Sequence, residues 1–196
     1  MTGRDVQRAP HWPLSRRSTM LAEMNDPIRL TGDAKPPDAV TSPVNAEPIA
    51  ALRLATEADL GELLRWRNDP ETRHFRNDPR VIEPDEHAAW LERRQRSESR
   101  VYIYEYAGRP AGNITLDVSA RGCELGWIIA PEWRGHGIGK AMVMAAIKMM
   151  PFDQLLWCKM RDDNIASSRL AESCGFRLRG RDGAMLIFEL PPAGSR

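Results

Sequence analysis

Cysteine is scarce in this chain: three residues, Cys123, Cys158 and Cys174, in a length of 196. Their number is odd, none shows metal-ligand spacing, and two lie in apolar strand patterns, so neither a disulfide framework nor a metal site is indicated. Buried free thiols in a reducing compartment, and hence a cytoplasmic protein, are expected. Charge of one sign is also lacking, since 28 Lys and Arg stand against 27 Asp and Glu. That balance argues against nucleic acid or an acidic membrane surface as a partner. No apolar run approaches the length of a membrane span, and no internal repeat is visible.

Regular apolar spacing is missing from residues 1–48. Pro10, Pro13, Pro27, Pro36, Pro37, Pro43 and Pro48 punctuate that stretch, and too little apolar surface is present to offset the entropy of ordering it. Disorder is the expectation. The first part carries Arg4, Arg8, Arg16 and Arg17 with Asp5 as its acid, loosely like a transit peptide. The prolines interrupt any amphipathic helix, however, and a signal-peptide apolar core is absent. Met20 and Met24 are alternative starts, and a dispensable extension is the favoured reading. One domain over 49–191 and a short tail over 192–196 are expected to follow.

From residue 49 the pattern turns regular. Ala51 to Leu54 reads as a strand, and Thr56 as the cap of a helix whose apolar face is Leu60, Leu63 and Leu64. A second helix follows Pro84, with His87, Trp90 and Leu91 on one side. Val101 to Tyr106, Gly112 to Val118 and Cys123 to Ala130 form a three-strand antiparallel meander. An apolar helix over Ala141 to Met150 comes next, then a short buried strand from Leu155 to Cys158. A helix from Asn164 and a hairpin of Phe176 to Arg179 with Met185 to Leu190 complete the chain.

The most telling stretch is Pro131-Glu132-Trp133-Arg134-Gly135-His136-Gly137-Ile138-Gly139-Lys140, between an apolar strand and an apolar helix. Alternating glycines at such a junction let backbone N–H groups converge, and the helix start adds its free donors and positive dipole end. The combination makes a cradle for a diphosphate. A Walker A loop is excluded, because Arg134 fills its first glycine slot and Ala141 its hydroxyl slot. A dinucleotide fingerprint is excluded as well, because Lys140 or Met142 occupies the third glycine position.

Arg134, Gly137 and Gly139 do match Arg/Gln-x-x-Gly-x-Gly/Ala, which resembles the coenzyme A pyrophosphate loop of the GNAT superfamily of N-acetyltransferases. The run from Asn164 to Phe176, with Ser167, Leu170 and Gly175, resembles the helix that packs beside coenzyme A in that family. Together they form a specific pair over roughly residues 51–190. The resemblance implies an α/β (α+β) fold in the order β-α-α-β-β-β-α-β-α-β-β. Its central sheet is mixed and mostly antiparallel, with about seven strands flanked by about four helices. It also implies acetyl-CoA as co-substrate, with no metal. Backbone groups near Trp127, Ile128 and Ile129 would pair with the pantetheine arm, while Trp127 and Ile129 side chains can also fill the core.

Acetyl transfer to an amine needs a base, donors for a developing oxyanion, and a way for the thiolate to leave. Glu124 is the candidate base, since strand alternation places it with Gly126 and Ile128 and an apolar setting raises a carboxyl pKa. Its alternative is a solvent-facing strand-end glutamate. Many relatives carry a Tyr seven residues after the helix Asn, but here that slot is Ala171. Ser167 matches a serine of ribosomal-protein-acetylating relatives and is the candidate acid. The other reading has Ser167 and Asn164 only bonding coenzyme A or the helix start. Arg134 is expected to face phosphates, with Gly135, His136 and Ile138 contributing backbone. Lys140 either reaches the ribose phosphate or is solvated.

Arg67-Asn68-Asp69-Pro70, with the later His87 and Trp90, resembles the branches that acetylate nucleotide-linked amino sugars and ribosomal-protein N-termini. Arg67, Asn68 and Trp90 are therefore candidate acceptor-binding residues, with helix capping as the competing role for Arg67 and Asn68. The expected acceptor is a small-molecule amine, leaning to an amino sugar, or alternatively a protein N-terminus. A non-catalytic acetyl-CoA-binding module is the rival class. A homodimer is consistent with the resemblance.

Overall fold

Alternation along the two longest neighbouring strands sets the layout of the molecule. The computed structural model describes residues 28–30, 50–150 and 155–192. Strand β4 (Arg109–Ser119) pairs antiparallel with β5 (Gly122–Ile129) in unbroken register from Gly112↔Ile129 to Ser119↔Gly122. Asn113, Thr115 and Asp117 therefore share one face with Ile128, Gly126 and Glu124, and Ile114, Leu116 and Val118 share the other with Trp127, Leu125 and Cys123. One face is polar-studded and the other apolar.

The polar-studded face is covered by α1 (Leu60–Asn68) and α3 (Pro84–Gln95). Arg94 of α3 grips Asp117 through two bonds of 2.7 and 2.9 Å. The turn before α1 is held by Asp59, which is buried yet accepts two bonds of 2.8 Å from Arg53 and one of 2.8 Å from Thr56 N. Burial alone would push the Asp59 carboxyl up; the Arg53 guanidinium and the Thr56 donors outweigh it and hold it below the usual range. On this side Leu63, Trp66, Leu91 and Ile103 are buried. The apolar face carries α4 (Ile138–Met149), whose Met142, Val143 and Ala146 are buried with Leu52, Tyr102, Tyr104 and Ile114.

The remaining strands are β2 (Ala50–Leu54), β3 (Arg100–Tyr106), β6 (Leu156–Arg161), β7 (Arg177–Asp182) and β8 (Met185–Leu190). With β1 (Ile28–Leu30) they form one sheet in the order β1-β2-β3-β4-β5-β6-β8-β7. Only β5 and β6 run parallel in it. The seven strands expected after residue 49 are present in that order. The eighth, β1, pairs with β2 as Ile28↔Leu52 to Leu30↔Ala50, within the segment expected to be disordered. The rest of 1–48 lies outside the described residues, as does 193–196.

Five α-helices are described where about four were expected. The addition is α2 (Pro70–His74), which Asp69 starts by accepting a bond of 2.9 Å from Thr72 N. Asn68-Asp69-Pro70 reads as a stop signal, and here it ends one helix and caps the next. The last helix, α5 (Ile165–Ser173), follows β6. No helix of the described residues is long and apolar enough to cross a membrane. The three cysteines are buried and unpaired. Burial pushes the Cys123 and Cys158 thiols up to about 12, and raises that of Cys174.

Strands β5 and β6 meet at Gly122, whose φ is +132° and where an added Cβ would collide with the Leu155 carbonyl oxygen. Cys123 N donates to that same oxygen at 2.9 Å. Gly122→Ala is thus expected to cost roughly 2 kcal/mol, lowering Tm by about 4–8 °C in a thermal melt. Gly180→Ala, with open space around it, should leave Tm unchanged.

Candidate active site

Pairing between β5 and β6 is confined to Cys123↔Leu156 and Glu124↔Trp157. Past Glu124 the strands diverge, and a cavity of about 460 Å³ opens between them. Its near wall is Glu124 to Ile129 of β5, and its far wall is Lys159, Met160, Asn164, Ser167 and Leu170. At the open end the chain enters the glycine turn, whose start is fixed by Trp133, buried and edge-on to Tyr106.

The three glycines of that turn do different things. Gly135 and Gly137 each have φ of +78° with nothing within 4 Å of a hypothetical Cβ, so they supply left-handed backbone facing open space. Gly137 caps α4, and the first intrahelical bond runs from Ala141 N to Gly137 O. The amides of Ile138, Gly139 and Lys140 therefore have no acceptor within the helix. Gly139 is a packing glycine: a Cβ there would lie 2.6 Å from Ile129 Cδ1 and 3.0 Å from Leu170 Cδ2. It lets α4 lie against β5 and α5.

Arg134 is paired within the protein as well as lining the cavity. Its guanidinium reaches α2 and its cap, pairing with Asp69 at 2.7 Å and Glu71 at 2.8 Å and donating to Thr72 Oγ1 at 3.0 Å. Two carboxylates at hand outcompete an open position for its charge. His136 Nδ1 donates to Arg134 O at 2.8 Å, which fixes the ring inside the turn. Of the turn only Arg134 and Gly135 line the cavity, and Lys140 is exposed on the first turn of α4.

Glu124 stands at the closed end of the cleft, half-buried, with Lys159 Nζ 3.5 Å from its carboxylate. Burial pushes its carboxyl above the usual range, and Lys159 only partly offsets this. Asn164 caps α5 by accepting a bond of 3.0 Å from Ser167 N. The Ser167 hydroxyl lines the cavity with no partner among the described residues, while Ala171 is fully buried in the core. No phenol reaches the cleft from that position.

A second cavity, of about 280 Å³, adjoins the first on the α1–α3 side and shares Arg76, Arg94, Thr115, Trp127 and Ile128 with it. Arg67 and Trp90 are among its lining residues. Trp90 stacks on His87 with ring centroids 4.8 Å apart. Asn68 does not line it: its amide donates to Ile82 O and accepts from Ile82 N, both at 2.8 Å. That clip ties both ends of the amide to the Ile82 backbone. Sequence reasoning missed Arg76, Asn113 and Lys159. A lone Asn in an apolar strand and a Lys two residues after Trp157 in a short strand were the available signals; Arg76 had none. Among the described residues no group of three or more His, Cys, Asp or Glu could hold a metal ion.

A sequence model described as Acetyltransferase (GNAT) domain matches residues 50–177. No curated protein matches by sequence. Among solved structures, a ribosomal-protein-alanine N-acetyltransferase from Brucella melitensis is 25% identical with a TM-score of 0.59, over 71% of this chain and 98% of that one. AAC(6')-Ib in complex with ribostamycin and coenzyme A has a TM-score of 0.66 at 17% identity, over 74% and 93% of the two chains. A spermidine N-acetyltransferase from Vibrio cholerae, in complex with coenzyme A and spermine, has a TM-score of 0.62 at 19% identity, over 71% and 92%. At those identities the last two likenesses show the fold.

The raised carboxyl of Glu124 has a thermodynamic consequence. The folded protein holds that proton more tightly than the unfolded chain, so its stabilising effect is complete below the unfolded pKa and lost as pH rises through the folded one. Glu124→Gln, uncharged throughout, is expected to melt above the parent at about pH 7.5, the gap closing toward about pH 4. Lys159 is exposed enough to be solvated when its partner is gone. Melts across pH check this; a variant less stable at neutral pH would refute it.

Proposed function

The chain belongs to the GNAT acetyltransferase family, and from that premise we propose that it transfers an acetyl group from acetyl-CoA to the primary amine of a small molecule. The observation that carries this reading is the cleft itself. A carboxylate with a raised pKa lies at its closed end and a left-handed glycine turn lies at its open end.

When bound, acetyl-CoA supplies the thioester whose carbonyl carbon the amine attacks. The residues around it divide the work. Backbone amides from Gly135 to Lys140, at the positive end of α4, hold the diphosphate. The unpaired edge of β5 from Gly126 to Ile129 receives the pantetheine arm and polarises the carbonyl. Glu124, directly or through one water, takes the proton the amine loses as the N–C bond forms and the C–S bond breaks. Ser167, with its free hydroxyl on the far wall, is placed to donate to the departing sulfur. Asn164 and Arg134 act indirectly, Asn164 by capping α5 and Arg134 by tying the turn to α2.

The adjoining cavity, walled by α1 and α3 beside Trp90, supports a small acceptor, with an amino sugar as the leading class. A protein N-terminus is the second reading, favoured by the ribosomal-protein-alanine relative.

Thiol release from acetyl-CoA over a panel of amino sugars, other amines and peptides tests the proposal. Glu124→Gln is expected to lower kcat about 100-fold or more while acetyl-CoA affinity stays near the parent value. Gly137→Val, forced into a left-handed conformation, should weaken acetyl-CoA binding in calorimetry by about tenfold or more. Acetyl-CoA binding without thiol release for any amine would return the chain to the binding-module class.

A further inference from the structure

The acceptor-side cavity holds more positive charge than its own protein neutralises. Arg94 is committed to Asp117, and Glu86, the acid on the wall, is committed to Arg80. Arg67 donates from Nη2 to Asp78 O at 2.7 Å, but its Nη1 is buried without a partner. Arg76 is half-buried at the junction of the two cavities, and its side chain makes no hydrogen bond or ion pair among the described residues. Burial, together with the charges of Arg67 and Arg94, pushes its pKa down to about 10, still far above neutrality.

Two further groups lining the same cavity are more than nine-tenths buried and unsatisfied. They are His87 Nε2, in a residue 6% exposed, and Asn113 Oδ1, in a residue 3% exposed. Burial and Arg67 lower the His87 pKa, which favours its neutral form. Buried polar atoms left unpaired are costly, and unpaired guanidinium groups in a pocket favour an anion to complete them.

Resting on the acetyl-transfer reading above, we propose that the acceptor is an amine that also carries an anionic group, phosphate or carboxylate, which Arg76 and Arg67 bind. Its polar remainder meets His87 and Asn113 against the Trp90 ring. The anion at Arg76 sits where the cavities join and leaves the amine to enter the cleft toward Glu124. A polyamine or a polycationic sugar meets like charge there and is disfavoured.

The full-length protein is assayed by thiol release with matched acceptors: glucosamine 6-phosphate against glucosamine, glutamate against its diamide, and spermidine as the cationic extreme. The anionic member of at least one pair is expected to have a kcat/KM about tenfold higher or more, and the two pairs distinguish phosphate from carboxylate. Arg76→Gln and Arg67→Gln should each raise KM for the anionic member and not for its neutral counterpart, while Arg76→Lys keeps the preference. Melting shifts with the same compounds in the presence of coenzyme A need no turnover. An anion-specific shift erased by Arg76→Gln upholds the proposal even without thiol release, which would count only against the acetyl-transfer reading. Equal use of both members, a preference for spermidine, or an anion preference that survives both glutamine variants overturns it. So does the absence of both turnover and shift for every compound.

Discussion

The whole site depends on how little β5 and β6 hold each other. Each strand is committed on its other edge: β5 to β4 along its full length, and β6 to β8 through six pairs from Leu156↔Leu190 to Arg161↔Met185. Their directions are therefore set from outside. Gly122 and Leu155 bring them together at one end, and sheet twist carries them apart at the other. An opening made this way needs no loop to stay open. It also leaves backbone edge groups facing the gap, which in a closed sheet would already be bonded.

Into this gap the chain puts groups that stability alone would not select. Glu124 is partly desolvated and only loosely paired, Ser167 keeps a free hydroxyl, and Arg76 has no acid. Elsewhere the same chain pairs its charges closely, as with Asp59 on Arg53 and Asp117 on Arg94. Of the buried side-chain atoms left short of partners, Arg67 Nη1, His87 Nε2 and Asn113 Oδ1 border the acceptor-side cavity, where a ligand can complete them. Those of Trp66, Tyr106, Trp133, Trp157 and Ser168 lie elsewhere.

Much of this arrangement was legible from the residues. Strand order follows from period-two alternation and turn residues, and the glycine run marks by its spacing the turn that opens α4. What sequence could not supply was competition between partners. Arg134 has the spacing of a phosphate ligand, yet Asp69 and Glu71, more than sixty residues earlier in the chain, claim it in space. Asn68 resembles an acceptor ligand until Ile82 takes both ends of its amide. Gly139 completes a motif, and its tight packing against Ile129 and Leu170 is visible only in three dimensions. Strand β1 lies within a proline-punctuated stretch, where three residues show no period at all.

The sulfur atoms of the chain bear on the chemistry by staying out of it. Cys123, Cys158 and Cys174 are buried, and burial keeps all three in the protonated form. A thiolate beside an activated acyl group would capture it by exchange and leave the protein self-modified. With every native thiol shielded and un-ionised, the carrier's sulfur has no rival nucleophile of its own kind among the described residues. Loss of the acyl group to a buried protein thiol is thereby closed off.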